Sequence, residues 1–178
     1  FDLKGPTFRH EKYDQYKATR KKAPDELYAQ IPIVKEMLRN YGIPIFEKAG
    51  FEADDVIGTL AKKGDLGVSQ GLRKVIVTGD MDALQLVDDD ISVFTLRKGI
   101  KDTVIYDEAA VKARYNLTPA QIIDYKSLCG DASDNIPGVK GIGAIGATKL
   151  LVEFGTLDGV YKNVEKVSAK AMKKKLEE

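Results

Sequence analysis

A single cysteine, Cys129, in a chain of 178 residues leaves no partner for an internal disulfide, as a reducing cytoplasm would permit. It sits in the apolar-looking stretch Tyr125-Lys126-Ser127-Leu128-Cys129, where a free thiol is an inert packing group. A lone histidine, His10, gives little support to a Ser–His–Asp or Cys–His mechanism, and one Cys with one His makes a poor zinc site. No run approaches a membrane-spanning length of about eighteen apolar residues, which excludes a transmembrane helix. Phe1-Asp2-Leu3-Lys4-Gly5-Pro6 has neither the basic nor the apolar region of a signal peptide. It also lacks an initiator Met, so the natural protein is expected to begin further upstream. Internal repeats and low-complexity tracts are missing as well.

Net charge is also scarce, at +1, but its distribution is uneven. From Phe1 to Lys22 seven Lys or Arg face three acids, and from Lys162 to Lys175 six lysines face one Glu. Between them, Glu52 to Asp90 holds nine acids against four bases. Two basic segments flank an acidic centre, a pattern that ordinary solvated surface also produces.

Residues 4–23 are polar and basic and read as loop or weak helix. A helix follows over about 24–41, with Leu27, Ile31, Val34 and Leu38 on one apolar face. Ile43 to Phe46 is a short strand candidate. The next helix runs from about Ala53 to Lys63, with Val56, Ile57 and Leu60 inward. Lys74 to Thr78 is a β-branched run expected to be a buried parallel strand. Ile91 to Leu96 and Thr103 to Tyr106 are further strands. After Asp107 the pattern turns helical, at 107–115, 119–129, 143–154 and a lysine-rich end. The expected fold is α/β, a mainly parallel sheet flanked by helices, in two parts: a core over 1–106 and a helical region over 107–178.

Three acidic clusters stand at strand ends or in loops: Gly50-Phe51-Glu52-Ala53-Asp54-Asp55, Thr78-Gly79-Asp80-Met81-Asp82 and Gly130-Asp131-Ala132-Ser133-Asp134-Asn135. Caps and Asx turns explain one or two acids in each, and leave a surplus. In open α/β sheets ligands bind beyond the carboxyl ends of strands, where Asp80 and Asp82 fall. Dense carboxylates cannot all stay ionised without a cation among them, and they suit hard divalent ions such as Mg²⁺ or Mn²⁺. Two such ions about 4 Å apart can activate water and stabilise a leaving oxygen.

Gly141-Ile142-Gly143-Ala144-Ile145-Gly146 satisfies a dinucleotide-binding pattern. Asn135 to Lys140, ahead of it, holds Pro and Gly and is no strand, so that reading is rejected. The alternative is a helix–hairpin–helix element, with Gly138 to Gly143 as a hairpin whose following helix start binds phosphate without reading bases. A plain tight helix–helix turn is the ordinary alternative.

Taken in order, several motifs resemble the metal-dependent 5′-nuclease domain of bacterial DNA polymerase I and the related flap endonucleases. They are Phe1-Asp2, Phe8-Arg9-His10-Glu11, Tyr16-Lys17-Ala18-Thr19-Arg20, the three acidic clusters with Ala83-Leu84-Gln85-Leu86 after the second, and Ile136 to Gly143. The resemblance covers nearly the whole chain and implies a PIN-like core carrying a basic arch over 4–23. It implies hydrolysis of phosphodiesters at the 5′ end or flap of branched or nicked DNA, in primer removal and repair. Asp2, Glu52, Asp54, Asp55, Asp80, Asp82, Asp131 and Asp134 match the family's metal-binding acids. Lys17 and Arg20 match basic residues that stabilise the scissile phosphate. Tyr16 resembles an aromatic on which a frayed base stacks, and Arg9 a further arch contact. Gly138, Lys140, Gly141 and Gly143, with Lys149 on the next helix, resemble the duplex-binding hairpin, which often holds K⁺ on backbone carbonyls. A polymerase domain on the same natural chain and a cytoplasmic, nucleoid-associated place follow from the same likeness. The sequence starts after the family's first strand and its metal-binding Asp, so a catalytically incomplete DNA-binding fragment is the alternative expectation. Ile145 and Gly146 stand where the family usually has Lys and Thr, so weaker duplex affinity is expected.

Overall fold

A computed structural model describes residues 1–63, 72–96 and 102–177. The chain divides into two compact units, Phe1–Ile57 with Ser133–Asn135, and Gly58–Ala132 with Ile136–Glu178.

The first unit begins with irregular backbone through Asp2, followed by a short helix α1 (Phe8–Lys12). The ring of His10 closes its start, its Nδ1 accepting from the Thr7 N–H at 3.1 Å, a structural task for the lone histidine. Helix α2 (Asp25–Asn40) starts where Pro24 pre-sets the backbone for a first turn. The apolar face expected on it is covered only in part, with Ile31 and Leu38 half-buried. No α2 residue is buried, and Leu27 and Val34 are exposed. Periodicity reports which side chains share a face, and it does not report what lies against that face. Residues 43–46, expected as a strand, are irregular: four residues without a neighbouring strand have no ladder to join.

Helix α3 (Ala53–Lys63) opens in the first unit, and the division falls after its Ile57. Val56, Ile57 and Leu60 are half-buried, and Ala61 is the fully buried member.

The second unit carries a three-stranded sheet in the order β1 (Lys74–Val77), β2 (Ile91–Leu96), β3 (Thr103–Tyr106). β1 pairs with β2 in parallel and β2 with β3 antiparallel, so the sheet is mixed rather than mainly parallel. One face is core: Ile76 lies beside Val93, and Ile91, Val93 and Tyr106 are buried. The other face is open, with Val75 at 55% and Val77 at 72% exposure, beside exposed Leu96 and Ile105. Among the described residues β1 has one strand neighbour, and only its Ile76 is buried. After β1 a 3₁₀ helix (Met81–Leu86) places Leu84 in the core.

Helices α4 (Glu108–Tyr115) and α5 (Gln121–Cys129) come next, then a two-residue-strand hairpin, β4 (Gly130–Asp131) with β5 (Ile136–Pro137). Then come α6 (Ala144–Phe154), α7 (Leu157–Lys162) and α8 (Lys170–Glu177). Leu117, Leu128, Ile142, Ala147, Leu150, Leu151, Val160, Val167 and Leu176 form one core cluster, so the expected helical region builds its own interior. Cys129 packs against that cluster, and burial pushes its thiol up, as befits an inert group.

Candidate functional site

In the first unit, local structure uses some of the acids and leaves others over. The Asp55 carboxylate turns back to the Glu52 N–H at 2.9 Å, a cap on the start of α3. Asp2 accepts from the Ala53 N–H at 2.7 Å, so this acid from the chain's beginning faces the same helix start, where the helix dipole favours it. Asp54 is exposed in the first turn. Glu52 is not needed as a side-chain cap. At 9% exposure it is a buried carboxylate, held by the Tyr16 hydroxyl at 3.0 Å and Lys17 Nζ at 2.8 Å.

Arg9, Lys17 and Arg20 each meet an acid of this unit. Arg9 makes a two-pronged pair with Asp55, both bonds 2.7 Å, which holds that carboxyl below the usual carboxylate range. Lys17 Nζ also lies 3.9 Å from Asp134. Asp134 accepts from Tyr16 at 3.1 Å and from Arg20 at 3.1 Å, and its carbonyl takes the Lys17 N–H at 2.9 Å. Lys17 itself has a left-handed backbone, φ 56°. Tyr16 is 5% exposed, and burial with two carboxylates beside it pushes its hydroxyl well above the ordinary tyrosine value. Its ring is thus inside the unit and its hydroxyl donates to acids, where an open stacking face was expected.

In the second unit Asp80 is the local cap: its side chain accepts from the Asp82 N–H at 2.9 Å. The Asp82 carboxylate is the surplus one. It meets Lys126 Nζ at 2.7 Å, and the same ammonium lies 2.8 Å from Asp131. Burial pushes the Asp82 carboxyl up, and the charges of Asp80 and Asp131 add to this against Lys126. Asp131 lies on β4, whereas Asp134 belongs to the first unit, and the two carboxylates meet different cations, Lys126 for Asp131 and Arg20 with Lys17 for Asp134.

Lys126 was invisible to the sequence reading. A lone lysine in a helix looks like solvated surface, and only its spacing of five from Asp131 across the end of α5 carried a hint.

Among the described residues, no three His, Cys, Asp or Glu side chains are gathered into a group that could hold a metal ion. The acids are drawn to the chain's own cations instead. The donor chemistry still fits hard divalent ions. Asp82 and Asp131 share one ammonium, and the charge of Asp80 acts on Asp82. In the first unit Arg9 holds Asp55, Lys17 lies between Glu52 and Asp134, Arg20 meets Asp134, and Asp2 faces the start of α3.

The hairpin residues have a packing logic of their own. A Cβ on Gly138 would stand 2.2 Å from backbone atoms of Cys129 and Gly130, so the strands meet there with no space for a side chain. Val139 N–H bonds to the Leu128 carbonyl at 2.9 Å, tying the loop to α5. Gly141 has φ +81° and its carbonyl accepts from Lys175 Nζ at 2.8 Å. Gly143 stands before α6, whose first turn carries neither an acid nor a side-chain cap, and Lys140 and Lys149 are exposed.

Residues 1–116 match the family described as 5′-3′ exonuclease, N-terminal resolvase-like domain, and residues 117–178 the 5′-3′ exonuclease, C-terminal SAM fold. DNA polymerase I of Bacillus caldotenax is 43% identical over 176 residues, 99% of this chain and 20% of that protein. A 5′-3′ exonuclease of Mycoplasma pneumoniae is 44% identical over 169 residues, 94% of this chain and 57% of its own length. The chain thus spans about a fifth of the polymerase relatives it matches. Among solved structures, the bacteriophage T5 5′-exonuclease with bound divalent zinc shares the fold at a TM-score of 0.79 and 24% identity, over 98% of this chain and 66% of that one. The T5 D15 flap endonuclease in a complex with DNA and metal ions gives 0.75 and 26%, over 98% and 66%. No described helix is long and apolar enough to cross a membrane.

Proposed function

Because the chain belongs to the 5′-3′ exonuclease family, we propose that it is a structure-specific 5′-nuclease that cuts phosphodiesters at the 5′ end or flap of branched or nicked DNA by two-metal-ion catalysis. The observation that carries this reading is the pairing of carboxylates around a shared cation in each unit, Asp82 with Asp131 on Lys126 and Glu52 with Asp134 on Lys17. Asp2, Glu52, Asp54, Asp55 and Asp134 in one unit and Asp80, Asp82 and Asp131 in the other would hold the ions, Mg²⁺ or Mn²⁺. When bound, such ions activate water and stabilise the leaving oxygen.

The remaining work falls to the protein. Lys17 and Arg20, now paired with Glu52 and Asp134, turn to the scissile phosphate and stabilise its developing charge. Arg9 adds a contact from the arch. Tyr16 braces Glu52 and Asp134, and stacking on a frayed base requires its ring to leave that position. Gly138, Gly141 and Gly143 shape a hairpin whose helix start, with Lys140 and Lys149, grips duplex phosphates without reading bases, with K⁺ on its carbonyls. Residues 1–106 then supply most of the chemistry, joined by Asp131 and Asp134, and the rest of 107–178 the grip. The role is primer removal and repair in a bacterial cytoplasm, at the nucleoid, beside a polymerase domain on the natural chain. The name shared by the polymerase relatives supports that placement.

The test is a labelled 5′-flap DNA incubated with the 178-residue chain in Mg²⁺, Mn²⁺ or EDTA. Cleavage at the flap junction that EDTA stops is expected. Asp82→Asn should abolish cleavage and leave DNA binding largely intact. DNA bound by the unaltered chain without cleavage would make this stretch a binding fragment of the enzyme.

A further inference from the structure

Lys126 stands in the last turn of α5, with its ammonium 2.7 Å from one carboxylate oxygen of Asp82 and 2.8 Å from one of Asp131. Asp82 follows β1 and Asp131 lies on β4, so one flexible side chain joins two separate segments of the second unit. We propose that Lys126 is a resident counter-cation, occupying the Asp82–Asp131 pair until a divalent ion displaces it. The inference rests on the metal reading above and adds a competitor to it.

Two observations favour an exchangeable cation over a permanent brace. The pair is open to water: the side chains of Lys126 and Asp82 are 37% and 39% exposed. The contact is a point charge on a four-carbon stem, which swings away at small cost, where a planar guanidinium fork would clamp.

The first unit repeats the arrangement independently, with Lys17 between Glu52 and Asp134. A divalent ion and an ammonium cannot share the same two oxygens, because their charges repel at that distance.

The experiment is an Mn²⁺ titration followed by electron paramagnetic resonance, with thermal unfolding of the metal-free protein alongside. Lys126→Met keeps the length of the side chain and removes its charge. It should bind Mn²⁺ about tenfold more tightly, as loss of one competing unit charge beside the ion implies. Its metal-free melting temperature should fall, and the difference from wild type should shrink at saturating Mn²⁺. Lys126→Arg, which keeps the charge and clamps harder, should bind Mn²⁺ more weakly, and it serves as the test if the Met variant does not fold. Mn²⁺ affinity that is unchanged or lower in Lys126→Met, or unchanged in Lys126→Arg, overturns the inference while wild-type binding leaves the metal reading standing. Absence of Mn²⁺ binding by every chain overturns both.

Discussion

Arg9 and Asp55 show how one pair combines capping and charge. The carboxylate serves the start of α3 and receives both prongs of the guanidinium, which also lies 4.6 Å from the centre of the Phe8 ring. Asp55 is held below the usual carboxylate range chiefly by its bonds to Arg9. A depressed carboxyl contributes stability above its unfolded value and loses it as pH falls through the folded one. Arg9→Leu should therefore cost about 1–2 kcal/mol near neutrality, and the gap should close in acid as Asp55 protonates in both proteins. Urea unfolding at stepped pH measures it. A gap that stays constant into acid would assign the stability to packing on Phe8. At this scale the sequence was generous with acids, since three dense clusters exceed what caps require. It was silent on partners: nothing in Tyr16-Lys17-Ala18-Thr19-Arg20 says that the ring turns inward or that both cations fold back onto Glu52 and Asp134.

Among the elements, the hairpin and its flanking helices separate two kinds of glycine. Gly138 is closed in by backbone at 2.2 Å, whereas a Cβ on Gly143 would meet nothing within 4 Å. Gly138→Ala should cost at least about 1–3 kcal/mol, because backbone cannot yield as a side chain does. Gly143→Ala should leave stability nearly unchanged, and chemical unfolding of both variants compares them. Equal losses would remove the packing explanation. Helices with caps or clear periodicity were legible from sequence: α2 to α6 begin and end within a few residues of expectation. What was not legible was what lies against them. A β-branched run fits a central strand or an edge equally well, and β1 has one strand neighbour among the described residues, in a mixed sheet.

For the whole chain, a net charge of +1 leaves no general attraction for DNA, so affinity has to come from local basic groups. On the proposed function, each phosphate contact adds about 0.9 to the steepness of the fall of log affinity with log salt. The double variant Lys140→Ala, Lys149→Ala should flatten that slope by roughly two and weaken binding equally across sequences. Fluorescence anisotropy on two unrelated duplexes over a salt series checks this. An unchanged slope would place the contacts elsewhere.

The open face of the sheet has a consequence of another kind. Val75 and Val77 lie on a strand edge that has no second neighbour among the described residues, with Leu96 and Ile105 exposed alongside. Such an edge can serve as a template for pairing with a second copy of the chain, and Arg73 and Asp80 set charges to either side of it. Removing the Asp80 charge should therefore lower solubility, which light scattering of Asp80→Asn beside the unaltered chain measures, and unchanged scattering would show that the charge guards nothing.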